Sequence, residues 1–219
     1  MPDLDFRVTG VEAAARGLVP LLIFNLEATN TPAEEVIQSA TIQAQIQFQC
    51  PQRAYNETEK EKLVELFGTP ERWGQTLRNR LWTHASTTLG TFSGRTTARV
   101  AVPCTFDLNV SAAKYFYALE EGDVPLLFLF SGTVFYSAQD GRLQMQRISH
   151  EKECGWRMPV NVWRELMEEH WPNSAWITLH REVFDRLYEF KRRSGFATWE
   201  QTVEKLLADV EAPDAILQQ

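Results

Sequence analysis

Ile42-Gln43-Ala44-Gln45-Ile46-Gln47-Phe48-Gln49-Cys50 alternates apolar and glutamine residues without a miss. An extended strand throws successive side chains to opposite faces. This register therefore puts Ile42, Ala44, Ile46, Phe48 and Cys50 on one face and four glutamines on the other. The segment reads as a half-buried antiparallel strand, one side on a core and the other in water.

The same period recurs on both sides of it. Leu4 to Val8 alternates briefly, and Pro20 to Thr29 sets Leu22, Phe24, Leu26 and Ala28 against Asn25, Glu27 and Thr29. Asn30-Thr31-Pro32 closes that strand with a turn signal. A second long alternation follows the Gly90–Gly94 loop: Val100, Val102, Cys104, Phe106, Leu108 and Val110 face one way. Pro103 within it removes a ladder donor and predicts an edge or bulged position. Val124-Pro125-Leu126-Leu127-Phe128-Leu129-Phe130 does not alternate, which predicts a central strand covered on both faces, continuing past a bulge at Ser131-Gly132 into Tyr136. Asp140-Gly141 then turns the chain into Leu143, Met145 and Arg147.

Helical signals interrupt these strands. Asn56 and Glu59 form a capping-box pattern before Leu63, Leu66 and Phe67, and Gly68 suits a left-handed helix end. Thr69-Pro70-Glu71 predicts a further short helix carrying Trp73, Leu77 and Leu81 inward. Ser111 is placed to cap a helix with Tyr115 and Leu119 on its inner side, closed by Gly122. Three helical patterns follow Met158: Val160 to Met167, Leu179 to Arg193, and one capped by Thr198 and Gln201. Val183, Phe184, Leu187 and Phe190 on the second, and Val203, Leu206, Leu207 and Val210 on the third, are expected to pack inward. The expectation is an α+β fold: an antiparallel sheet of about six to seven strands with interpolated helices (residues 1–157), a layer of three helices on the same core (158–210), and a flexible tail (211–219).

Composition narrows the function classes. The net charge of −7 opposes a phosphate-tracking nucleic-acid binder, and the one basic cluster, Lys191-Arg192-Arg193, sits where it complements a helix C-terminus. The acidic N-terminus lacks a secretory pattern, and the longest apolar run is too short to span a bilayer. Three widely spaced cysteines fit a reducing cytoplasm.

Chemistry is sparse. Neither CxxC nor HxxxH occurs, and no nucleophile elbow or phosphate-binding glycine loop is present, so no cofactor or metal is expected. Cys50 and Cys104 fall on apolar strand faces, whereas Cys154, in a loop between Glu153 and Gly155, is the reactive-thiol candidate. The chain has seven Trp residues, four of them at Trp156, Trp163, Trp171 and Trp176. They read either as core packing or, with Arg157 and Arg164 nearby, as a protein-binding surface to which Arg53 and Tyr55 could belong.

Several segments together resemble a bacterial family catalogued as domain of unknown function 6084. They include Ile46-Gln47-Phe48-Gln49 through Arg53-Ala54-Tyr55, Leu66-Phe67-Gly68-Thr69-Pro70-Glu71-Arg72-Trp73 and Val102-Pro103-Cys104-Thr105-Phe106-Asp107. Gly122-Asp123-Val124-Pro125-Leu126, Leu129-Phe130-Ser131-Gly132-Thr133-Val134-Phe135-Tyr136 and Pro159-Val160-Asn161-Val162-Trp163 extend the likeness. The genes of that family commonly accompany those of uptake [NiFe]-hydrogenases. The resemblance thus implies an accessory, assembly or maturation role, with a hydrogenase subunit or maturation factor as partner. The strand order is also similar to that of SecB-type export chaperones, which have no counterpart to the intervening and C-terminal helices. The leading expectation is a non-enzymatic, cytoplasmic protein-binding factor, with a homo-oligomer allowed. The alternative is a metal-handling or thiol-dependent enzyme using Cys154 and a histidine.

Overall fold

In the computed structural model, Ile42, Ala44, Ile46, Phe48 and Cys50 are all buried, and the glutamines between them are exposed or half-exposed. The model describes residues 1–14, 18–104, 110–138, 141–175 and 177–211. Their elements run β1 (Asp3–Ala13), β2 (Leu21–Thr31), β3 (Ile37–Phe48), α1 (Glu57–Phe67), α2 (Trp73–Thr76), β4 (Arg80–Leu89), β5 (Arg95–Pro103), α3 (Val110–Ala118), β6 (Asp123–Ser137), β7 (Leu143–Arg147), β8 (Glu153–Pro159), α4 (Val160–His170), α5 (Arg181–Ser194) and α6 (Trp199–Glu211). The predicted strand residues 105–109, Asp140 of the turn and the tail from 212 lie outside the described residues.

The class is α+β with antiparallel pairing throughout, but the strands divide into two sheets instead of one. The smaller has the order β1-β2-β5. The larger has the order β4-β3-β6-β7, with β8 also on β6. β6 is central: one edge pairs β3, and the other is shared by β8 along Asp123–Leu129 and β7 along Thr133–Ser137. No register shift occurs at Ser131-Gly132, where a bulge is predicted; that segment is the changeover between the two partners. Gly132 is required there. Its φ is 147°, and a Cβ would lie 1.9 Å from the Thr41 carbonyl oxygen.

The two sheets face each other through aromatic side chains. Phe6 meets Phe130 at 4.6 Å between ring centroids, and Phe24 meets Phe128 at 5.1 Å. β1 runs beside β8 and β4 beside β5, so the core is enclosed along both lateral margins. The inner side of α3 packs into this core, Phe116 lying 5.3 Å from Phe48 and 5.4 Å from Trp82. Trp163 of α4 stacks on the other side of Phe116 at 4.8 Å. Each such fully buried Phe or Leu contributes roughly 1.5–3 kcal/mol of hydrophobic stabilisation.

Several local expectations change. Leu81 is 53% exposed instead of inward, because α2 is a single turn and the chain is already extended by Arg80. β4 was concealed by its own irregularity: Ile46 pairs Thr83 and Gln47 pairs Leu81, leaving Trp82 as an extra residue. Trp82, Ala85 and Leu89 are therefore buried at spacings that mimic a helix. Gly68 has φ 76° but an extended ψ of −171°, so its conformation is not the left-handed helical one. Pro103 ends β5, an edge strand, in agreement with its missing donor. Ser111, expected to cap α3, lies within it.

By contacts the residues form two units, Met1–Ser174 and Ala175–Gln219. The first holds both sheets with α1–α4. The second is a helical hairpin of α5 and α6, closed by Thr198 and Gln201, whose side chains cap each other's backbone as the sequence predicts. Trp199 lies 5.3 Å from Phe184 and 6.2 Å from Tyr188 across the hairpin. The apolar residues expected to pack inward do not all do so: Phe184 is 43% exposed, Leu207 55% and Val210 75%. Two helices alone have too little facing surface to cover two amphipathic stripes.

Candidate functional site: the open face of the larger sheet

The pleat of the larger sheet decides which side chains leave the core. Val124, Leu126, Phe128, Phe130, Val134 and Tyr136 of β6 point inward and are buried. Leu127, Leu129 and Phe135 alternate with them and are only half-buried, so the strand is not covered on both faces as its composition predicts. The register sets Leu127 between Gln47 and Gly155, and Leu129 between Gln45 and Glu153. Phe135 lies between Ser39 and Met145.

The outer face is thus an apolar line along β6, bordered by glutamines on β3. On the neighbouring β4, His84, Ser86 and Thr88 are exposed. At the β7 edge, Leu143 and Met145 are 65% and 62% exposed on the same side as Phe135. Gly155 contributes no side chain to shield Leu127. On the β3 side the frame is neutral and desolvates more cheaply than charges do, whereas Glu153 and Arg157 of β8 and Arg147 of β7 put charges on the other side of the line. β7 pairs only β6 among the described strands, which leaves its outer backbone edge for strand addition.

The sequence-derived binding residues do not gather on this face. Arg157 alone projects from it, exposed beside Pro125. Trp156 and Cys154 alternate with it toward the inner side and are half-buried; the Trp156 indole N–H is shielded from solvent without an acceptor. Trp163 is packed on Phe116, Trp171 is half-buried next to His170, and Trp176 lies outside the described residues. The outer line of Leu127, Leu129 and Phe135 was missed because a strand of uninterrupted apolar residues carries no alternation to mark its open side. The glutamines of β3 were the available signal.

Arg53 and Tyr55 belong to a buried knot. The Arg53 guanidinium donates to a Glu59 carboxylate oxygen at 2.5 Å and to the carbonyls of Glu121 and Asp123, each at 2.7 Å. Glu59, already the capping-box partner of Asn56, also accepts from the Glu120 amide at 2.8 Å. Arg164 binds the carbonyls of Leu119 and Glu120 from the other side, each at 2.8 Å. Arg53 and Glu59 thereby fix the α3–β6 turn to the start of α1, and Arg164 ties the same turn to α4. The Tyr55 hydroxyl meets the carbonyl of Cys50 and the hydroxyl of Tyr115, each at 2.9 Å. Burial raises both tyrosine hydroxyls above their ordinary range and pushes the Cys50 thiol up to about 11.

Burial likewise raises the Cys154 thiol, against a smaller opposing hydrogen bond involving the Val8 backbone, and nearby Glu153 adds to the rise. A nucleophilic cysteine needs the opposite environment. Among the described residues, no group of three or more His, Cys, Asp or Glu side chains is placed to hold a metal ion, and no helix is long and apolar enough to cross a membrane.

No curated protein matches the chain. Among solved structures, it is similar to the selenomethionine-labelled β-glucosidase from Kluyveromyces marxianus at 9% identity and a TM-score of 0.25. That alignment covers 72% of this chain and 15% of the glucosidase, and it carries no inference about fold or activity. Residues 1–215 match the family described as "Family of unknown function (DUF6084)", and the chain belongs to that family.

Proposed function

We propose that this protein is a non-enzymatic accessory factor that binds a partner protein on the open face of its larger sheet, in the assembly or maturation of an uptake [NiFe]-hydrogenase. The observation that carries the binding reading is the half-buried Leu127–Leu129–Phe135 line, continued by exposed Leu143 and Met145 and bordered on its β3 side by glutamines. The hydrogenase setting rests on the gene association implied by the family resemblance. Three free thiols and an acidic chain are in keeping with a cytoplasmic site of action.

The test uses a Leu127→Glu/Leu129→Glu variant, since half-buried outward positions accept a carboxylate without burying it in the core. The native host, deleted for this gene and complemented with either form, is assayed for hydrogenase activity and for hydrogenase subunits recovered with the protein. Wild type restores both, and the folded variant restores neither. Hydrogenase activity unaffected by the deletion, together with no recovered subunit, sinks the reading.

A further inference from the structure

We infer that the α5–α6 hairpin is a self-association module that pairs with the hairpin of a second copy of this chain as a four-helix bundle. The residues involved belong to the second unit and are not those of the open sheet face, and the inference does not rest on the hydrogenase reading. Val203, Leu206 and Val210 recur at the three–four spacing of a helix seam and are 37%, 38% and 75% exposed. On α5, Val183 and Phe184 are 46% and 43% exposed. The hairpin is held internally by Trp199 against Phe184 and Tyr188, so Phe184 is partly used within it, while Val183, Val203, Leu206 and Val210 stay exposed.

Charge identifies the occupant. α5 carries five cationic and three acidic side chains, whereas α6 carries one lysine and four acidic side chains. One helix is therefore net positive and the other net negative. A partner of a single sign would be attracted by one helix and repelled by the other. A second copy related by a two-fold axis can set α5 against α6 of its mate at both contacts, so the surface is complementary to itself. Like-charged helices then lie on the diagonals of the bundle. The apolar seam supplies the association and the charge pattern fixes this arrangement against the one with like helices adjacent.

Sedimentation equilibrium of the full chain tests this. Wild type is expected at twice its 25.2 kDa mass, with a dissociation constant that rises with salt. Val203→Asp/Leu206→Asp, checked for retained helicity by circular dichroism, is expected to be monomeric. A second variant, Glu200→Lys/Glu204→Lys, keeps every apolar residue and is expected to weaken the dimer at least tenfold. A wild-type monomer at about 100 μM overturns the inference, as does a dimer that survives both variants unchanged.

Discussion

Replacing Arg53 by Met removes a cation that is almost wholly buried and leaves its partners in place. The Arg53 side chain is 7% exposed and that of Glu59 3%, so the variant strands a carboxylate in the interior. It also removes the donors that reach the carbonyls of Glu121 and Asp123. Breaking a buried pair from one side costs about 3–5 kcal/mol, because the remaining charge keeps its desolvation penalty without its compensation. For a chain of this size that lowers Tm by roughly 10 °C. Urea unfolding followed by tryptophan fluorescence gives the free energy directly, since Trp82 lies in the core and Trp73 lies 5.3 Å from Tyr55. The paired variant Arg53→Met/Glu59→Gln makes the reasoning refutable. A glutamine keeps an acceptor for the Glu120 amide and carries no charge, so the double variant should recover about 1–2 kcal/mol relative to Arg53→Met. A single variant that loses less than about 1 kcal/mol, or a double variant less stable than the single, would show that the knot is not held by charge compensation.

Gly132→Ala should destabilise the first unit by about 3 kcal/mol or prevent soluble expression, because the added methyl meets the Thr41 carbonyl on the adjoining strand; near-wild-type thermal unfolding refutes it. Alkaline pH should destabilise the fold. Burial raises Cys50 from an ordinary 9.0 to about 11 and Cys104 to about 12, so the contribution of each neutral thiol is complete below pH 9 and is lost as pH climbs through those values. Cys50→Ala should flatten the decline between pH 9 and 11, and an unchanged profile counts against it. Cys154 should react with a disulfide reagent at about pH 8 more slowly in the folded protein than in urea, since its thiol is raised. The reverse order would reopen thiol chemistry.

The sequence revealed most where one physical constraint acted alone. β3 was legible because one of its faces is dry and the other wet, and the Asn56–Glu59 and Thr198–Gln201 caps were legible because capping is local. β4 was hidden because its extra residue at Trp82 breaks the two-residue period. The division into two sheets was hidden because periodicity records that a strand has a buried side and not which neighbour covers it. The open face of β6 failed for a related reason: Leu127 and Leu129 are as apolar as the core residues between them, and only the finished sheet tells them apart. Arg53 and Tyr55 are, by type, surface residues at a strand-to-helix junction. Their role depends on Tyr115 and on the carbonyls of Glu121 and Asp123, sixty to seventy residues away, which no local pattern encodes.

The placement of β6 at the centre of the larger sheet also governs how the chain is made. Its partner β3 was synthesised long before it: the bond between Gln38 and Ser137 closes a separation of 99 residues. Until β6 leaves the ribosome, β3 can pair only with β4, and Phe6 and Phe24 of the smaller sheet lack their β6 partners Phe130 and Phe128. Closing so long a loop before any reward arrives makes folding slow compared with a helical protein of equal length. The nascent chain therefore passes through a period with exposed strand edges, which is when it has most need of a chaperone.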